Sequence, residues 1–219
     1  MLGKTIVAPA SAPGRGGVSV IRMSGANAKA IAEDMCGGLA QSWKFRKCKI
    51  KSTDGLVLDS GLVVFFESPH SYTGEDVVEF HCHGNPTIVN LIVEDVVKRG
   101  AVIAEPGEFT KTAFLNDKID LAQAESVSDL INAQSKSAVI AANSSLSGNF
   151  SSSVDLIIRG LVSTRVMIEA HIDFPEEEID SDLLESISYE LSDFSKDIDR
   201  LLAEAVKSMR LREGYRVCI

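Results

Sequence analysis

From Leu146 to Ile172 the apolar residues recur every three or four positions, and they do so again from Leu184 to Met209. A period near 3.6 can be buried only by a helix, so this half of the chain is committed to long helices. The first stripe runs Leu146, Phe150, Val154, Ile157, Leu161, Arg165, Ile168 and Ile172; the second runs Leu184, Ile187, Leu191, Phe194, Ile198, Leu201, Ala205 and Met209. Asp173-Phe174-Pro175 ends the first, so the second can fold back on it and a helical bundle is expected. Of the chain's 31 carboxylates, 12 fall between Asp173 and Glu204 against only 2 basic residues. A solvated helix face or an acidic partner-binding surface accounts for that run. With a net charge of −9 and the remaining residues almost neutral, the chain has no broad basic footprint, and tight RNA binding by it alone is not expected.

Residues 1 to about 105 read differently, as mixed strand and helix. Thr5–Ala8 and Val18–Met23 are short apolar strands separated by Pro13-Gly14-Arg15-Gly16-Gly17, which is either a tight connection or a loop that brings backbone close to a ligand. It lacks the third glycine of a dinucleotide fingerprint and leads into a strand, and Gly3-Lys4 has no upstream glycine that would make a Walker A loop. Asp54-Gly55 between Lys49–Ser52 and Leu56–Leu58 predicts a hairpin turn, with Leu62–Phe66 a further strand. Asn85-Pro86 opens a helix whose Val89, Ile92, Val93, Val96 and Val97 share one face before Gly100 closes it. Pro106-Gly107 precedes a short helix around Phe109–Leu115, and Asp120 caps the next. Cys36, Cys48, Cys82 and Cys218 are scattered, so reduced thiols are expected. No apolar run is long enough to span a membrane, and Pro9 and Pro13 break any leader-like segment, which predicts a soluble, cytoplasmic protein without a membrane partner.

The strand Val77–His83 places Val78, Phe80 and Cys82 on one face and Glu79, His81 and His83 on the other. The polar set suits either a divalent metal or a polar pocket wall. Arg22, inside an otherwise apolar strand, requires an anionic partner, supplied by an ion pair or by a ligand. Lys118 sits in the Asn116–Lys118 break between helices, where a lysine is ordinarily exposed.

Several ordered strings resemble the MnmE (TrmE) family of tRNA-modification GTPases. They are Thr5-Ile6-Val7-Ala8, Pro13-Gly14-Arg15-Gly16-Gly17-Val18, Arg22-Met23-Ser24-Gly25, Ser71-Tyr72-Thr73-Gly74-Glu75-Asp76 and Cys82-His83-Gly84. Pro106-Gly107-Glu108-Phe109-Thr110, Ala113 to Lys118, Asp120 to Glu125, Ile172 to Ile179 and Leu211-Arg212-Glu213-Gly214 continue the likeness. The resemblance implies an α+β domain over residues 1–118, similar to the tetrahydrofolate-binding domain of the glycine-cleavage aminomethyltransferase. Residues 119–214 would be the first half of an α-helical domain, and residues 215–219 the start of a GTPase domain that is otherwise missing.

By resemblance, Arg22, Glu79 and Lys118 contact a tetrahydrofolate derivative, 5-formyl- or methylene-tetrahydrofolate, with no catalytic or metal-binding residue in this chain. His83 would shape the pocket or turn, and Cys218 would belong to a GTPase strand. GTP, potassium and magnesium would be confined to the missing domain, so this chain would not hydrolyse GTP. The implied partners are a second copy through the N-terminal domain, an MnmG-like flavin-dependent subunit, and tRNA in the complete complex. The implied reaction installs an aminomethyl or carboxymethylaminomethyl group at carbon 5 of the wobble uridine. Two other readings stay open: a self-sufficient folate-dependent one-carbon transferase, and a noncatalytic acidic helical scaffold.

Overall fold

The computed structural model describes residues 3–173 and 181–213. The chain divides into two compact units, Met1–Ile119 and Asp120–Ile219. The first is built on a six-stranded sheet of β1 (Ile6–Pro9), β2 (Gly16–Ser24), β3 (Arg46–Lys51), β4 (Val57–Phe66), β5 (Val77–Gly84) and β6 (Val102–Ile103), in the order β3-β4-β5-β2-β1-β6. Every pairing is antiparallel except that of β1 with β6. Alternation along the strands turns Ile21, Met23, Cys48, Ile50, Val63, Phe65, Val78, Phe80 and Cys82 into one core with α1 (Ala28–Cys36) and α2 (Pro86–Lys98). The opposite faces of the same strands carry Arg22, Glu79 and His81, which are left half-buried.

α2 begins as the sequence predicts: Asn85 accepts a hydrogen bond from the Thr87 backbone N–H, Pro86 is the first helical residue, and Val89, Ile92 and Val96 are buried. Its buried Asp95 accepts from the backbone N–H and hydroxyl of Thr53 and from Nε of Arg99, so the β3–β4 turn is tied to the helix. α1 was not anticipated, although Ala28, Ile31, Ala32 and Met35 have helical spacing and are all buried. Its nine residues are shorter than the window over which periodicity is persuasive, and Asn27 gives no side-chain cap. The segments read as separate strands at Leu56–Leu58 and Leu62–Phe66 join in the single strand β4, which is paired with β3 over residues 57–63 and with β5 over residues 62–66. Gly61, between those two segments, lies close against β5: a Cβ there would run into the carbonyl oxygen of His81.

The second unit is helical: α4 (Leu121–Asn132), α5 (Lys136–Leu146), α6 (Asn149–Asp173) and α7 (Ser181–Glu213) follow α3 (Glu108–Leu115) of the first. Asp120 and Gln123 form a reciprocal capping box at the start of α4. Leu146 ends α5 instead of opening the long helix, because Gly148 takes a left-handed conformation (φ 81°) and turns the chain. The face that α6 shows to α7 also differs from the expected stripe. Gly160 lies under the Phe194 ring, where a Cβ would come within 2.6 Å of Cε1, and the buried Thr164 hydroxyl donates to Glu190 at 2.9 Å. Phe150, Leu161, Arg165, Ile168 and Ile172, five of the eight residues of the expected stripe, are exposed. Apolar residues occupy more than one arc of α6, and the smallest residue, which periodicity ignores, marks the closest approach. Arg165 pairs with Glu169 on the exposed surface. Phe174-Pro175 and the GTPase-strand assignment of residues 215–219 lie outside the described residues. Among the described residues no helix is long and apolar enough to cross a membrane.

Candidate functional site

β2 and β5 are adjacent in the sheet with Arg22 directly opposite Glu79. Both side chains project from the face away from the core, because Ile21, Met23, Val78 and Phe80 alternate with them into it. Arg22 Nε and Nη2 both reach Glu79 Oε1, at 2.9 and 2.8 Å, with side-chain exposures of 27% and 14%. The other carboxylate oxygen, Oε2, faces His81 Nε2 at 3.2 Å. The partner that a half-buried guanidinium requires is therefore present in the protein.

Two aromatic rings flank this guanidinium. Arg22 Cζ lies 5.2 Å from the centroid of Tyr72 and 5.8 Å from that of Phe109, within cation–π range. The Tyr72 hydroxyl is bonded to Thr110 Oγ1 at 2.8 Å, so the loop before β5 and the first turn of α3 hold the rings together. Ser24, two residues along β2 from Arg22, fixes the same loop by hydrogen bonds to Thr73 Oγ1 and Glu75 Oε2.

Lys118 stands apart from the pair. It is exposed, its Nζ donates to the carbonyl of Pro69 at 2.9 Å, and its stem packs on Gly74, where a Cβ would be 3.2 Å from Lys118 Cγ. Asn116 Nδ2 donates to the Thr73 carbonyl nearby. Arg22 and Glu79 are thus brought into direct contact, while Lys118 reaches a different stretch of the loop that supplies Tyr72. Sequence reasoning missed Tyr72 and Phe109. Both stood in the quoted strings, but nothing local says that residues 50 and 87 positions away converge on Arg22.

His83 takes a separate partner. Asp59 accepts the His83 backbone N–H through Oδ2 at 2.7 Å and faces ring Nδ1 through Oδ1 at 2.8 Å. Burial alone would raise the Asp59 carboxyl, but hydrogen bonds from the His83 backbone and ring and from the Ser60 N–H, together with the His83 charge, hold it below the usual carboxylate value. Behind it, burial and then the Asp59 charge push the Cys82 thiol up to about 11, so this cysteine is a core group and not a nucleophile. With His81 turned to Glu79 and His83 to Asp59, the Glu79-His81-His83 face does not converge. Among the described residues no group of three or more His, Cys, Asp or Glu could hold a metal ion. A cavity of about 200 Å³ is found in the helical unit, between Ile157, Phe194 and Leu201. It is lined by none of Arg22, Glu79 or Lys118.

The sheet unit and the helical unit are each matched by a family model, in the same order along the chain. Residues 5–118 match the N-terminus of the GTP-binding protein TrmE, and residues 121–216 match the MnmE helical domain. The chain belongs to the MnmE (TrmE) family. A protein named tRNA modification GTPase MnmE from Neisseria meningitidis serogroup B is 45% identical over 215 residues, covering 98% of this chain and 48% of the relative. The protein of the same name from Hydrogenovibrio crunogenus is 46% identical over 215 residues, with the same coverage of 98% and 48%. The chain spans about half the length of the curated relatives it matches.

Proposed function

We propose that these residues form the folate-binding and dimerisation portion of a GTPase that modifies carbon 5 of the wobble uridine of tRNA together with an MnmG-like flavin-dependent subunit. The observation that carries the folate reading is the Arg22–Glu79 pair between Tyr72 and Phe109. The donor set suits a reduced folate: a carboxylate to accept the adjacent N–H groups of a pterin edge, a guanidinium for a carboxylate or carbonyl, and rings to lie against a flat heterocycle. Lys118 is assigned to the same ligand through the shared loop, as a cation for the folate glutamate tail. When bound, the folate supplies the one-carbon unit. The chain's own residues orient it: Glu79 is held by Arg22 and His81, and Tyr72 is fixed by Thr110.

Membership of a family whose relatives are named tRNA modification GTPases supports the wider assignment, in a cytoplasmic setting. GTP, potassium and magnesium are assigned to the half of the relatives' length that this chain does not match, and the homodimer to the sheet unit. Titration of 5-formyltetrahydrofolate into the protein by calorimetry tests the site. Saturable binding that weakens at least tenfold in Glu79→Gln and Arg22→Ala is expected, with a smaller loss in Lys118→Ala. Unchanged affinity in the first two variants removes the assignment. One-carbon turnover by the chain alone would replace it with a self-sufficient transferase. Sedimentation of the protein with and without folate tests the dimer.

A further inference from the structure

Among the described residues β3 is an edge strand, hydrogen-bonded to β4 alone. With its approach it reads Lys44-Phe45-Arg46-Lys47-Cys48-Lys49-Ile50-Lys51, five basic residues in eight and no acid, in a chain of net charge −9. Cys48 and Ile50 are buried at 7% and 0%, so period two sends Lys47, Lys49 and Lys51 to the opposite face, where all three are exposed. Their cross-strand neighbours are Leu62, Ser60 and Val57, none of them acidic. Among the described residues no carboxylate pairs with these three lysines or with exposed Lys44. Arg46 is occupied differently, donating to the carbonyls of Cys36 and Gly38.

Two large rings stand exposed beside this row. Trp43 is 63% and Phe45 56% exposed, held edge-on against Phe66 and His81 at 4.7 and 5.2 Å. His81, against which Phe45 stands, also bonds Glu79, the partner of Arg22.

Lysines on an edge strand also discourage strand-to-strand aggregation. That role gives no reason to expose Trp43 and Phe45, which promote association. An acidic protein surface would satisfy the lysines but not the rings. A ribonucleic acid offers both phosphates for a row of ammonium groups and unstacked bases for aromatic side chains.

We propose that the exposed face of β3, with Lys44, Lys47, Lys49 and Lys51 flanked by Trp43 and Phe45, is a docking surface for the phosphate backbone and unpaired bases of RNA. The identity of the polyanion rests on the tRNA reading above; the surface itself does not depend on the folate site. Contact with three or four phosphates gives a logarithmic salt slope of about −2 to −3, so affinity falls about 20- to 50-fold between 50 and 200 mM salt.

The test is equilibrium binding of labelled, unfractionated tRNA to the full chain without folate, for wild type, the triple variant Lys47→Gln/Lys49→Gln/Lys51→Gln, and Phe45→Ala. Far-UV circular dichroism checks that the variants are folded. Salt-dependent binding is expected, with the triple variant losing at least tenfold at 50 mM salt and about 2 from the slope. Phe45→Ala should lose about fivefold or more, and RNA should quench the fluorescence of Trp43. Absence of tRNA binding, or the same affinity and slope in the triple variant, overturns the proposal. Equal binding of poly-glutamate without Trp43 quenching overturns it in favour of an acidic protein partner. Loss of the RNA result while 5-formyltetrahydrofolate still binds would remove this surface and leave the folate reading standing.

Discussion

Arg22 and Glu79 lie on neighbouring strands, and a double-mutant cycle between them measures how firmly the candidate site is preorganised. At 2.8 Å, with an effective dielectric constant of about 20, the Coulomb attraction is about 6 kcal/mol. Desolvation of both groups and the 27% exposure of Arg22 cancel most of it, leaving an expected coupling of about 1–2 kcal/mol. Glu79→Gln should be the costlier single change, because it leaves a guanidinium between Tyr72 and Phe109 without a counter-charge, whereas Arg22→Gln frees a carboxylate that His81 still faces. Urea unfolding at pH 7 is read from Trp43, the only tryptophan, which lies in the sheet unit against Phe66 and so reports that unit without interference from the helices. If the two single changes add to within about 0.3 kcal/mol, the pair is not energetically coupled and the preorganisation argument fails. Repeating the cycle with saturating 5-formyltetrahydrofolate extends the test. A pterin edge that takes over part of Glu79 should reduce the coupling, and a ligand bound elsewhere should leave it unchanged.

Three other outcomes follow from the geometry. Gly61→Ala should destabilise the sheet unit by about 2–4 kcal/mol in the same urea assay, since the His81 carbonyl it strikes is fixed by the β4–β5 ladder; a change under about 0.5 kcal/mol would contradict the close approach. Asp120→Ala should cost the helical unit about 1 kcal/mol by circular dichroism. Burial would raise this carboxyl, but hydrogen bonds from the Ser151 side chain and the Gln123 and Ala122 N–H groups outweigh it and hold it low. Its contribution is therefore present above the unfolded value of about 4 and disappears as pH falls through the lower folded value, so an acid titration in which Asp120→Ala loses as much helix as wild type would count against the cap. Finally, Cys36 and Cys48 lie with sulfurs 2.9 Å apart and both buried. Their shared hydrogen bond and burial push Cys36 up, while that bond holds Cys48 down against burial. An azo oxidant such as diamide, taking one hydrogen from each thiol, should give a single intramolecular disulfide seen by peptide mass mapping, absent in Cys36→Ser; persistence of both thiols would show that the pair does not open to the reagent.

The elements legible from sequence were those whose signal is local. α2 has its cap, its first proline and its apolar face within 15 residues, and the Asp54-Gly55 turn is written in two. The short α1 and the division of α5 from α6 escaped because nine residues carry too little periodicity and because Leu146 fits the spacing of the helix that follows it. For the site, alternation placed Glu79, His81 and His83 on one face, but could not tell that Asp59 draws His83 away or that Tyr72 and Phe109 close on Arg22. The basic row of β3 was hidden by summation, because outside residues 173–204 acids and bases nearly cancel and a local cluster of five bases leaves no mark on the total.

What the sequence determined by itself is the division of labour along the chain: a mixed, turn-rich first part, a helical second part, and a family likeness carried by ordered strings. These follow from patterns within a few turns of backbone, where side-chain spacing alone decides which face can be buried. Which groups meet was decided only by the tertiary structure. Strand register sets Arg22 against Glu79 across 57 residues of chain, and a glycine too small to count in any hydrophobic stripe sets where α6 receives Phe194. Contacts of that kind depend on the simultaneous placement of distant backbone segments, and no local pattern contains that information.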